Sequence, residues 1–556
     1  MKLTIKGGGD INLTKSHFLA GGGQGNVYVI GNTAYKIYND PTAMMPLGKI
    51  QELSVITDLN IIIPQNILLD TKQIPVGYSM RFVKDTHILC TLFTRAFKER
   101  NSLTLNKIQD LIIKLRSLVE HIHSKDILIV DLNELNFLVD KSFSEIFAID
   151  TDSYESKSYP ATVIMDSVRD WRSKKFSKET DWFSFGIIAF QMLVSIHPFK
   201  GSHSSVKGLK ERMLKNISVF NKDVSMPRVC YPLDSIPESY RSWFKAVFEG
   251  GKRIAPPADF SAHIAHISTI HHITGNDVFN IEELVDLEGN IINVYMYGAI
   301  SAILTDKKFY LNKREITVGT GLKLCIPSKS DTVFLAKMSN GLLKLFNSST
   351  KEETITQIAA SELMTYHGML YVKNCDKVLE IDIIEGKKTL VSGRQVANVL
   401  EHASTLYDGV VVQNLLGTYY VSVFPTPKIH RQVRIKELDS YKIIDAKFDR
   451  NVLMIIGAKN GIYDKFVCKF SSDWVSYVIR IVNDITPAGL NFVTLDTGVC
   501  VHITEEEKIN IFSSKSDVDG ITEIDNDIIG GDMRLFASGA KLLFGRQNKL
   551  YSMKMK

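Results

Sequence analysis

At 556 residues the chain exceeds what one ordinary hydrophobic core supports, which predicts two or three domains. Its 45% hydrophobic and 23% charged residues exclude the compositions of disordered chains and of integral membrane proteins. A net charge of +5, from 66 basic and 61 acidic residues with no long block of one sign, leaves no footprint for nucleic acid.

The N-terminus MKLTIKGGGD lacks the apolar stretch of a secretory signal, and no apolar run reaches the roughly 18 residues of a membrane span. Cys90, Cys230, Cys325, Cys375, Cys468 and Cys500 lie far apart without a CxxC pair, which predicts a reducing compartment and no structural zinc. The expected setting is cytoplasmic, with no membrane partner.

In chain order, LAGGGQGNVYVIGNTAYKIY reads as a strand, a glycine turn and a hairpin that ends on Lys36. KIQELSVITDLN carries Glu52, which reads either as a residue of the next helix or as a solvated surface glutamate. SLTLNKIQDLIIKLRSLVEHIHS repeats Leu105, Ile108, Ile112, Leu115, Val119 and Ile122 at helical spacing. HSKDILIVDLNELNFLVD then places Asp131, Asn133 and Asn136 ahead of the apolar pair Phe137 and Leu138, and EIFAIDTDSYE brings Asp150 fourteen residues after Asn136, with Asp152 two positions on. ETDWFSFGIIAFQMLVSIHPFKG predicts an amphipathic helix stopped by Pro198. His263, His266, His271 and His272 crowd into SAHIAHISTIHHITG, but no third ligand has metal-site spacing, so a linker helix is the better reading.

From Asp277 onward helical periodicity gives way to β-branched and aromatic hairpins such as TVFLAKMSNGLLKLF and GVVVQNLLGTYYVSVF. Their predicted tips lie near Asp306, Asn340, Asn374, Leu416, Asn460, Thr497 and Gln547, at the roughly 35- to 50-residue period of a four-stranded propeller blade. Seven tips predict about seven blades, with six or eight left open and a pair of sandwiches or a barrel as the alternative. The charge clusters in KEETITQ and TEEEKIN read as solvated tips.

Taken in order, the motifs between about Asn12 and Ala258 resemble a eukaryotic-type protein kinase domain, of an atypical variety like those of bacteria and their large phages. The resemblance implies an α+β bilobal fold, with a β-rich lobe over 1–83 and a mainly helical lobe over 84–270, followed by an all-β propeller-like domain over 277–556. It implies ATP and Mg²⁺ as cofactors. Gly22, Gly23, Gly25 and Val27 would then border the nucleotide, and Lys36 would neutralise its phosphates with Glu52 as the candidate partner. Asp131 would accept the substrate hydroxyl proton, and Asn133 would stand where a lysine ordinarily touches the γ-phosphate. Asn136 and Asp150 would bind magnesium. Asp152 stands where the pattern has glycine and is expected to cap the following turn, with the metal shell as the other possibility. Asp181 would brace the catalytic loop, and Arg253 lacks its usual glutamate, with Asp166 or Asp170 as substitutes.

Ile129 and Val130 replace the usual histidine and arginine, so no cation waits there for a phosphorylated loop. The function implied is that of a Ser/Thr-type protein kinase whose propeller docks a protein substrate or partner. Its alternative is a weak or inactive kinase-like scaffold of a larger assembly such as a phage particle, which would extend the expected location to the virion. Phosphate transfer to a small molecule is a third possibility.

Overall fold

A computed structural model describes residues 1–161, 163–260, 277–297, 300–316, 321–327, 332–385, 389–426 and 428–556. They form two compact units, one built on residues up to 260 and one on those from 277 onward, except that Ala458–Asp464 and Asp484–Gly489 group with the first. The four clustered histidines lie outside the described residues.

The first unit opens with β1 (Lys2–Ile5), β2 (Asp10–Asn12), β3 (Phe18–Gly21), β4 (Gly25–Ile30) and β5 (Thr33–Tyr38). After α1 (Leu47–Leu53), β6 (Ile67–Leu69) and β7 (Pro75–Arg81) complete a seven-stranded sheet in the order β2-β1-β6-β7-β5-β4-β3. Its register sets Val27 opposite Lys36 and Lys36 opposite Tyr78, so these three share one face. Tyr38, two residues beyond Lys36, points to the same side. Gly25 lies where β4 closes on β5: a Cβ there would collide with the backbone oxygen of Ile37.

A smaller sheet follows, from β8 (Thr86–Ile88), β9 (Phe137–Asp140) and β10 (Ile146–Ala148), and with it the helices α2 (Arg95–Arg100) and α3 (Leu105–Ser124). Thr104 caps α3 by accepting the Lys107 amide at 3.3 Å, and Ile108, Leu111, Ile112, Leu115, Leu118, Val119 and Ile122 form its buried stripe. α4 (Lys178–Val194) is buried from Thr180 to its end. It starts in a capping box between Ser177 and Thr180 and stops at Ser195, whose φ of 68° is left-handed. The short pair β11 (Ser202–His203) and β12 (Val224–Ser225), α5 (Leu209–Lys215) and α6 (Glu238–Phe248) complete the unit. Phe190 of α4 meets Phe244 and Phe248 of α6 edge-on, with centroids 5.2 and 6.0 Å away.

The second unit is β-rich, with seven four-stranded antiparallel sheets among the described residues. Six are sequential hairpin meanders, from Ile291–Tyr297 in the first to Ile521–Ile524 in the last. The seventh joins both ends of the unit, because Phe279–Asp286 pairs with Lys549–Met555. Buried side chains fill the space between successive sheets: one cluster runs from Met364 to Phe470, and another joins Ile291 and Ile303 to Leu543 and Leu550. This arrangement is compatible with a propeller.

Six of the seven expected tips lie in the connections between strands and Asn374 ends its strand directly before one, but Thr497 lies between the first and second strands of its sheet, and the tip between its second and third strands is residues 504–508 of TEEEKIN. That cluster is not a solvated loop throughout. Glu505 is buried and pairs with buried Lys465 at 2.8 Å, and Glu507 accepts the Gly531 amide at 2.5 Å. Among the described residues no helix is long and apolar enough to cross a membrane. Among the described residues no cysteine forms a disulfide; Cys375 is exposed and the other five are buried.

Candidate functional site

The site is built from one face of the seven-stranded sheet and two loops. Lys36 is buried, and its ammonium donates to Asp150 Oδ1 at 2.6 Å and to Asp152 Oδ2 and Oδ1 at 2.8 and 3.0 Å. Burial alone would lower the lysine pKa, but the charges of Asp152 and Asp150 outweigh it and raise it, which keeps the ammonium protonated. Tyr38 donates to Asp152 Oδ2 at 2.5 Å, and buried Lys49 of α1 donates to the Asp152 backbone oxygen at 2.7 Å. Burial opposes the Asp152 charge, yet Lys36 and Tyr38 hold this carboxyl below its ordinary range.

Asp150 is the more open of the two carboxylates, with 39% of its side chain exposed against 4% for Asp152. Burial, and then the negative charge of Asp152, push Asp150 up to about 6. Its φ of 60° is left-handed, a conformation that aspartate tolerates better than most residues.

Asp131 and Asn136 come from the loop between α3 and β9. The hairpin β9–β10 pairs Phe137 with Ala148, and the Ile149 amide donates to the Asn136 carbonyl at 2.9 Å. Asn136 and Asp150 therefore leave the same end of one hairpin. The Asn136 side chain donates to the Asp131 carbonyl at 3.0 Å, and the Asp131 carboxylate accepts the Met165 amide at 2.8 Å. Burial raises the Asp131 pKa against the hydrogen bonds it accepts.

The loop is held from below by Asp181, which is fully buried. It accepts the amides of Ile129 and Val130 at 2.9 Å each and meets His123 Nε2 at 2.9 Å. These bonds fix Val130 at a φ of 61°, a strained value for a β-branched residue, directly before Asp131. The segment after Asp152 is tied down as well. His197 Nε2 bonds the Ser167 carbonyl at 2.8 Å, Ser184 the Val168 carbonyl at 2.7 Å, and Arg253 forms a fork with Asp170 at 2.6 and 2.8 Å. Asp170, and not Asp166, is thus the partner of Arg253.

Three expectations need correction. Glu52 is not a partner of Lys36: it accepts the Ser158 amide at 3.2 Å, and the carboxylates at Lys36 come from Asp150 and Asp152. Asp152 makes no turn cap, because both its oxygens face the Lys36 ammonium. Asn133 is buried and used locally, donating to the Asp131 carbonyl at 3.4 Å and accepting the Leu135 amide at 2.8 Å, so its side chain is turned to its own loop.

The glycines divide in the same way. Gly25 answers to strand packing, whereas a Cβ at Gly23 would meet nothing within 4 Å and one at Gly22 only the Gly25 oxygen at 4.0 Å. Asn39 was not singled out by any motif, yet it shapes this turn by donating to the carbonyls of Gly22 and Gly23 at 3.2 Å each. Its only sequence signal is its place directly after the strand that carries Lys36. Lys49 is equally silent in the sequence, since a helical lysine ordinarily reads as solvated. Among the described residues no group of three or more His, Cys, Asp or Glu side chains is disposed to hold a metal by itself.

Comparison with known proteins adds one partial likeness. The chain is 26% identical over 121 residues to cAMP-dependent protein kinase type 3 of Saccharomyces cerevisiae, a match that covers 20% of this chain and 28% of the yeast protein. No protein-family profile matches the chain.

Proposed function

We propose that the first unit is a kinase-like bilobal domain that transfers the γ-phosphate of ATP to a hydroxyl, most simply that of a protein Ser or Thr, and that the second is a seven-bladed propeller that docks a protein partner. The observation that carries the reading is the meeting of Lys36 with Asp150 at 2.6 Å, with Asn136 leaving the same hairpin end as Asp150. A buried ammonium beside a partly open carboxylate and an amide suits a phosphate chain accompanied by a hard, oxygen-preferring cation. The partial likeness to a yeast protein kinase points the same way.

Lys36 would hold the phosphates, the Gly22–Gly23 turn would let backbone amides approach them, and Asn136 with Asp150 would hold magnesium. Magnesium, when bound, neutralises phosphate charge. Asp131 would orient the acceptor hydroxyl and take its proton, a task that its raised pKa and its brace on Asp181 support. A silent scaffold is the second reading, favoured by the absence of a cation at position 133, where Asn133 serves the loop instead.

Calorimetric titration of the full chain with ATP, with and without Mg²⁺, tests the nucleotide site. Affinity is expected to be weak without Mg²⁺ and clearly stronger with it. Equal affinity in both conditions would indicate a degenerate site.

A further inference from the structure

Beside Asp150, Lys36 has a second acidic partner two residues further on, and neither lies on α1. Asp152 presents both carboxylate oxygens to the ammonium, 2.8 and 3.0 Å away, from a side chain only 4% exposed. Tyr38, on the same strand and face as Lys36, donates to one of those oxygens at 2.5 Å, so lysine and tyrosine grip the carboxylate together. α1 reaches this place with a cation: Lys49 donates to the Asp152 carbonyl at 2.7 Å. Glu52 of the same helix is engaged with Ser158.

We propose that Asp152 is the positioning residue that holds Lys36 for the phosphates of a nucleotide, so that binding competence is set by the segment Asp150–Ser153 and not by a glutamate on α1. Asp150 is thereby left as the open carboxylate. Were Lys36 held by Asp150 alone, that one carboxylate would have to serve both the ammonium and a cation. With Asp152 filling the first role, loss of Asp152 charge draws Lys36 wholly onto Asp150 and away from phosphate. This rests on the phosphate-binding reading given above.

The test measures MgATP and adenosine affinity on the full chain for the wild type, Asp152→Asn, Tyr38→Phe and Glu52→Gln. Asp152→Asn is expected to weaken MgATP by roughly 10-fold or more while leaving adenosine affinity unchanged, since only phosphate contacts depend on where Lys36 points. Tyr38→Phe removes one hydrogen bond and no charge, so it keeps the test open if Asp152→Asn does not fold. It should weaken MgATP by roughly 3- to 10-fold, again without touching adenosine. Glu52→Gln should change neither. Unaltered MgATP affinity in Asp152→Asn, equal losses for adenosine and MgATP, or a loss confined to Glu52→Gln would overturn the assignment. A wild-type chain that binds adenosine and MgATP equally would overturn the phosphate-binding reading as well.

Discussion

At the scale of single residues, the proposed function assigns some groups to phosphate and others to the acceptor. Asp131→Asn keeps the shape of the side chain and removes its basicity. It should leave MgATP affinity nearly intact while turnover falls by at least ~10²-fold, the lower range for losing a positioned base. Lys36→Met should damage both, and it also leaves the buried Asp152 carboxylate without its cation. Isothermal titration beside steady-state rates distinguishes the two patterns, and similar losses of affinity in both variants would contradict the division of roles. His197 supplies a residue-level test of stability. Burial pushes its pKa from 6.5 to about 3, and the neutral ring accepts the Phe199 amide while bonding the Ser167 carbonyl. The unfolded chain takes up a proton near pH 6.5 that the folded chain refuses. Its contribution is therefore present above that pH and is lost as pH falls toward about 3, at up to ~1.4 kcal/mol per unit. Between pH 6.5 and 5 the denaturation midpoint of His197→Gln should fall less steeply than that of the wild type. Equal slopes would show that the ring takes up its proton in the folded state as well.

At the scale of elements, the two kinds of glycine predict opposite outcomes. Gly25→Ala forces a Cβ into the backbone of β5, which cannot yield as a flexible side chain would, so a loss of about 1–3 kcal/mol is expected. Gly23→Ala meets open space and should fold normally while weakening ATP binding. Urea denaturation combined with nucleotide titration reads both, and a stable Gly25→Ala would refute the packing account. The same elements show what could be read in advance. Lys36, Asp131, Asn136 and Asp150 were visible because each sits in a short motif whose spacing is fixed by a local turn or hairpin. The Lys36–Asp152 and Lys49–Asp152 contacts join residues more than a hundred positions apart, and no periodicity records them. The familiar pattern even pointed elsewhere, to Glu52. In the same manner, alternation revealed the strands after Asp277, but a run of glutamates reads as surface, so the burial of Glu505 on Lys465 could come only from the packed sheets.

At the scale of the whole molecule, each unit has its own core, and the second is closed by strands from its two ends. Removing Lys549–Met555 would strip Phe279–Asp286 of its partner and open the sheet that contains both. Residues from 277 onward should then become sensitive to limited proteolysis while a fragment extending to about residue 260 survives; a resistant second unit would contradict closure by that pairing. Glu505→Gln offers a milder perturbation: it leaves the buried Lys465 ammonium uncompensated and should cost about 3–5 kcal/mol. The first unit, for its part, stands or falls on chemistry. The most direct measurement is transfer of radiolabelled γ-phosphate from ATP by the purified full chain, to itself or to a protein acceptor, beside an Asp150→Ala control. The account predicts Mg²⁺-dependent incorporation by the wild type that Asp150→Ala abolishes. Incorporation that persists undiminished in Asp150→Ala, or a wild type that binds MgATP yet transfers nothing to any hydroxyl, would contradict it.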